Sequence, residues 1–190
     1  MRVRGHRIRL SYPSKADSRV RSELVDEELA DCIGRLLGLK GGRRLFRYRV
    51  EGDLQNLTSR RLNDYVKEHL GEEFTAKDFR TWGGTLLSAV YLAERVEEHG
   101  FPESEHEWKR SLTAVMRRVA KRLGNTPAVV RRSYVSPAVI EQYRDGRTIG
   151  DFRPRNLRVV KARDPGLTPE EQAMLSLLRS WRIRSARQAA

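Results

Sequence analysis

Tyr134 stands near the end of the segment LGNTPAVVRRSYV, residues 123–135, directly after Arg131, Arg132 and Ser133, with Asn125 near the segment's start. Lys77 and Arg80 lie upstream, three residues apart within KDFRTW, and Lys15 lies further upstream still. Arginine presents a planar fork of donors that matches phosphate oxygens, so this series of strong cations and one tyrosine suits work at a phosphate. Other chemistries lack their residues. Neither G-x-x-x-x-G-K-[ST] nor G-x-G-x-x-G occurs, so ATP or dinucleotide use is not expected, and G-x-S-x-G and H-E-x-x-H are also absent. The histidines, His6, His69, His99 and His106, are scattered and Cys32 is the lone cysteine, so no zinc-ligand spacing can be written. Neither a metal nor a cofactor is expected.

The bulk composition points the same way. The 190 residues carry 38 Lys and Arg against 25 Asp and Glu, a net charge of +13, and 31 of the 38 are arginine. That bias favours a nucleic-acid backbone as partner, although a GC-rich genome would also encode arginine where lysine serves. The glutamates at 94, 97, 98, 103, 105 and 107 crowd one stretch, expected to face away from any phosphate or to form a solvated corner between helices. No apolar run reaches the ~18 residues of a membrane span, and MRVRGHRIRL has no signal-peptide core, so no membrane is expected as partner. With one cysteine no internal disulfide can form, which suits a reducing cytoplasm.

The elements that must hold these residues are mainly α-helical with a small β-hairpin. Alternation over 2–10 and more weakly over 19–25 predicts the hairpin, with a polar connection between its strands. A helix opens at Asp26 with Leu29, Ile33, Leu36 and Leu37 on one face and Cys32 as a core residue, and stops at the glycines from Gly38. Leu45–Tyr48 is expected to pack beneath a loop running to Ser59, before a helix carrying Leu62, Tyr65, Val66 and Leu70 to Gly71. Thr75 and Asp78 resemble a capping box ahead of a long helix through Leu92. Gly83 and Gly84 inside that helix cost about 1 kcal/mol each relative to alanine, so a close approach is expected there. Helices follow at about 105–122, after Thr126–Pro127 with Asn125 as a cap, after Ser136–Pro137, and after Thr168–Pro169, where Met174, Leu175, Leu178 and Trp181 are spaced at 3–4. Trp82, Trp108, Trp181 and Tyr143 are expected in packing. The domain expectation is a catalytic domain over 1–146 and a linker with a C-terminal helix over 147–190.

Two long segments carry a family resemblance. FTAKDFRTWGGT, residues 74–85, is similar to the FTAKDFRTW-x-GT of bacterial and poxvirus-like type IB DNA topoisomerases, and LGNTPAVVRRSYV resembles the stretch leading to their nucleophilic tyrosine. The hairpin with Tyr12-Pro13-Ser14-Lys15 resembles their R-x-R-G…G-K-S-G pattern, with Pro13 in the glycine region, and GLTPEE at 166–171 resembles the tail of bacterial members. The resemblance implies the fold that these enzymes share with tyrosine recombinases. It also implies that Tyr134 attacks a DNA phosphodiester and becomes joined to the 3′-phosphate. Arg80 would hold a non-bridging oxygen and Lys15 would protonate the departing 5′-oxygen. Asn125, where many relatives have histidine, would donate an amide N–H to the phosphate. Lys77, Arg131 and Arg132 would contact DNA.

These implied roles are physically coherent. Phosphoryl transfer spreads charge over the equatorial oxygens, and positioned Arg and Lys donors supply stabilisation that other enzymes draw from Mg²⁺. The phosphotyrosyl bond conserves the phosphodiester's energy, so rejoining needs no nucleotide. Family members carry a further catalytic arginine upstream of the hairpin, so the chain is expected to be a truncated catalytic fragment with feeble or no activity alone. Tyrosine recombinases share the chemistry but usually show H-x-x-R where Lys77 and Arg80 stand here. A DNA-binding protein without catalysis is the alternative of another class.

Overall fold

The computed structural model describes residues 1–13, 19–42, 44–152 and 166–189, so Lys15 lies outside the described residues. The chain forms two compact units, Met1–Ala76 and Lys77–Ala190.

In the first unit, β1 (Arg2–Arg4), β2 (Arg7–Pro13) and β3 (Arg19–Val25) form an antiparallel sheet in the order β1-β2-β3. The expected hairpin is thus a three-stranded meander. Gly5, at φ +53°, lets the chain reverse between β1 and β2, a turn that the unbroken basic alternation concealed. Val3 pairs with Ile8, and with Leu10 they share the face that packs on α1 (Glu27–Gly38) at Ala30 and Ile33. The opposite face carries the charge. Arg9 lies directly across from Glu23 and donates to it through Nε at 2.6 Å, and Arg7 adds a second bond to the same carboxylate. These bonds, that of Arg9 foremost, hold the Glu23 carboxyl below its ordinary range.

Helix α1 is capped by Asp26, whose side chain accepts from the Leu29 N–H. Cys32, expected in the core, is exposed. The small sheet covers only the narrow stripe of Ala30 and Ile33, and Cys32 sits about 100° around the helix from Ile33. Leu29 and Leu37 are exposed for the same reason.

The loop expected after Leu45 is instead a second hairpin, β4 (Arg47–Val50) and β5 (Asp53–Asn56). Its two-residue turn places both Glu51 (φ +51°) and Gly52 (φ +93°) in left-handed backbone. That is the geometry a tight hairpin needs, but glutamate is not among the residues that announce it. Buried Arg47 donates from Nη2 to the Leu39 carbonyl at the end of α1, 2.7 Å away. Arg61, on α2 (Ser59–Leu70), donates to the Tyr48 hydroxyl and so ties α2 to β4.

The second unit is helical: α3 (Ala76–His99), α4 (Glu105–Leu123), α5 (Pro127–Ser133), α6 (Pro137–Arg144), a 3-10 turn at Ile149–Phe152 and α7 (Pro169–Gln188). Its core draws Leu92 from α3, Val115 and Val119 from α4, Val139 and Tyr143 from α6, and Met174 and Leu177 from α7. Tyr143 is packing, as expected; Trp82 and Trp108 are half-buried against the core. Ile149, in the stretch read as linker, is fully buried, while residues 153–165 lie outside the described residues. The crowded glutamates bind neighbours inside this unit: Glu94 receives Arg118 of α4, and Glu105 receives Arg144 of α6 at 2.6 Å.

Helix α7 braces α3 and α6. Gln142 of α6 is fully buried with both ends of its amide paired: Nε2 donates to the Leu177 carbonyl at 3.2 Å, and Oε1 accepts from Arg184 at 3.1 Å. An unpaired buried amide would cost about 1–3 kcal/mol, so the pairing fixes how α6 and α7 meet. At the start of α7, Thr168 and Glu171 form the expected capping box, and the Glu171 carboxylate also accepts from Trp82 Nε1 of α3 at 3.2 Å. The Thr168 backbone N–H first, then Trp82, hold the Glu171 carboxyl below its ordinary value. A carboxyl depressed in the folded state contributes stability fully present above its unfolded pKa of ~4.3 and lost as pH falls through the lower folded value. Glu171→Ala is therefore expected to cost about 1–2 kcal/mol in denaturant unfolding at pH 7, with the gap from the parent closing below about pH 4.

Candidate active site

Arg80 and Tyr134, 54 positions apart in sequence, meet within the second unit. Arg80 is exposed in the second turn of α3, and its Cζ lies 5.1 Å from the centroid of the Tyr134 ring, a cation–π approach. Its Nη2 donates to the Leu123 carbonyl at 2.8 Å. Leu123 is the last residue of α4, whose final carbonyls have no partner within the helix, and a helix C-terminus favours a cation. The end of α4 thus aims the guanidinium, and four of its five N–H donors remain for other partners.

Asn125 shares this anchor. Gly124 ends α4 in left-handed backbone at φ +65°, and the chain turns so that Asn125 Nδ2 donates to the same Leu123 carbonyl at 3.1 Å. Asn125 does not cap α5, contrary to expectation. Thr126 does, accepting from the Val129 N–H at 3.3 Å, because Pro127 takes the first helical position and the residue before it becomes the cap.

Tyr134 follows α5 as its C-terminal cap, with its N–H bonded to the Val130 carbonyl at 2.9 Å and its side chain half-buried. Arg131 and Arg132, in the last turn of α5, are exposed. Lys77 is exposed one turn before Arg80, on the same side of α3. The second unit therefore brings together Arg80, Asn125 and Tyr134, with Lys77, Arg131 and Arg132 on its surface; of the sequence-expected set Lys15 alone is outside the described residues. The Leu123 carbonyl, which orients both Arg80 and Asn125, was invisible in the sequence because a backbone acceptor has no residue signature.

Such a site can hold a phosphate oxyanion beside a phenol, with the guanidinium supplying charge-assisted bonds as negative charge develops. Among the described residues no three His, Cys, Asp or Glu side chains gather as metal ligands would, and no helix is long and apolar enough to cross a membrane.

The chain is 29% identical over 143 residues to DNA topoisomerase 1B of Acanthamoeba polyphaga mimivirus, a match covering 73% of this chain and 42% of that protein. The chain thus spans less than half the length of that relative. A family model, described as the catalytic core of eukaryotic DNA topoisomerase I, matches residues 5–152, a span holding every candidate site residue from Lys15 to Tyr134. By that match the chain belongs to the topoisomerase I catalytic-core family.

Proposed function

We propose that this chain carries the strand-cleaving and rejoining chemistry of a type IB DNA topoisomerase, acting on double-stranded DNA in the cytoplasm, at the nucleoid. The observation that carries the reading is the Arg80 guanidinium poised against the Tyr134 ring within one packed unit. The Tyr134 hydroxyl oxygen attacks a backbone phosphorus and gives up its proton to solvent water, a P–O bond forms to the tyrosine, and the P–O bond to the 5′-oxygen breaks. Lys15 supplies the proton that converts the leaving oxygen to a hydroxyl. Arg80 and Asn125 donate to the non-bridging oxygens as their charge grows. The reverse steps reseal the strand after the free end has rotated, so the bond count is conserved and no nucleotide is consumed. Lys77, Arg131 and Arg132 grip the flanking backbone.

The test is incubation with supercoiled plasmid in chelator and without ATP, followed by denaturing electrophoresis of a labelled duplex. The expected result is a protein joined to the 3′-phosphate end, together with only weak relaxation. Strand exchange without relaxation would instead favour a recombinase, and salt-sensitive band shifts without any adduct a simple binder. For the backbone contacts, the fall of log affinity with log salt is expected to lose about one unit of slope in either Arg131→Ala or Arg132→Ala, measured by anisotropy on duplex.

A further inference from the structure

We propose that Gly84 and Thr85 form a seat on α3 that positions the nucleophile, an inference that rests on the reading of Tyr134 as the attacking group. Only Tyr134, Val135 and Ser136 separate α5 from α6, and this short link lies against α3. A Cβ built at Gly84 would stand 2.4 Å from the Tyr134 carbonyl oxygen and 3.0 Å from Tyr134 Cβ. Backbone atoms, not a yielding side-chain tip, occupy that space, so any residue other than glycine must push the tyrosine away. Gly83 meets nothing within 4 Å, and nothing in the structure requires glycine there.

Thr85 completes the seat. Its hydroxyl accepts from the Ser136 N–H at 3.1 Å and donates toward the Tyr134 carbonyl at 3.5 Å, bridging the groups on either side of buried Val135. Ser136 is the N-cap of α6 and its own N–H has no acceptor within that helix, so the Thr85 hydroxyl takes up a helix-end N–H that would otherwise be orphaned. Thr85 is itself buried, which leaves its hydroxyl little access to water as an alternative partner. Ser88, fully buried one turn on, donates to the Gly84 carbonyl at 2.8 Å on the same side of the helix.

The consequence for chemistry is spacing. Gly84 follows Arg80 by four residues, so one turn of one helix carries both the guanidinium and the seat. The distance from phenol to guanidinium is then set by helix geometry and not by a mobile loop. Displacements near 1 Å in a reacting group can cost about 10²-fold in rate.

The test measures single-turnover cleavage and duplex affinity for Thr85→Val, Thr85→Ser and Gly84→Ala, with amide hydrogen exchange at Ser136 in the DNA-free chain. Thr85→Val keeps the shape and removes both bonds. It is expected to slow cleavage about tenfold or more with DNA affinity unchanged, while exchange at Ser136 speeds up by a similar factor and Thr85→Ser restores both. Gly84→Ala is expected to slow cleavage by about 10². Unchanged cleavage in Thr85→Val, a loss confined to affinity, or Ser136 exchange equal to that of the parent would each overturn the seat. A parent chain that forms no adduct at Tyr134 would sink the functional reading instead, and the Ser136 exchange then decides the seat by itself.

Discussion

Tyr134→Phe is expected to abolish covalent joining to DNA, a loss of at least about 10⁴-fold, while leaving folding and duplex affinity close to those of the parent. The substitution removes one oxygen. The ring that Arg80 approaches at 5.1 Å remains, as do the N–H bond to Val130 and the backbone carbonyl turned toward Thr85. Among the described residues, the bonds that tie Tyr134 to α5 and α3 are made by its backbone and not by the hydroxyl, so the melting temperature should barely move. The measurement is adduct yield on a nicked duplex from which the cleaved end is lost, alongside anisotropy on the intact duplex. Persistence of an adduct would move the nucleophile elsewhere and end the proposed mechanism.

The second large effect is expected at Arg80. Arg80→Ala should lower the single-turnover cleavage rate by about 10²–10³-fold, the usual cost of losing one oriented donor to a developing oxyanion. Arg80→Lys should recover only a small part. Lysine restores the charge but not the planar fork, and its ammonium cannot bond the Leu123 carbonyl and reach two phosphate oxygens as a guanidinium can. Because the side chain is exposed and, among the described residues, its hydrogen bond is to that carbonyl, stability should change little. The distinguishing result is a rate loss with nearly constant affinity; a parallel fall in affinity would make Arg80 a general DNA contact.

The two substitutions probe groups that the sequence could name but not bring together. KDFRTW and the stretch ending in Tyr134 were legible as side-chain types at set spacings, and the helices that carry them followed from apolar periodicity and caps. Thr168 and Glu171 announced α7 correctly because a capping box is a purely local device. Where local signals were weak, the expectation differed from the fold. Gly5 hid a turn inside an unbroken basic alternation, and Glu51 took a left-handed conformation that its residue type does not advertise. Asn125 looked like a cap, yet Pro127 moved that task to Thr126 and freed the amide for Leu123. Cys32 looked like core on a helix whose covering sheet proved too narrow to reach it.

The amino-acid order by itself determined the chemical inventory: a phenol, its cations, the basic surface and most of the helices, because these depend on residue type and on contacts within a few positions. Only the tertiary structure decided that the end of α4 orients Arg80 and Asn125 through one carbonyl, that α7 braces α3 and α6, and that Gly84 admits the backbone of Tyr134. Apart from the Asn125 bond, which reaches back two residues, those relations join groups dozens of residues apart, often through backbone atoms that every residue shares, so packing alone could select them.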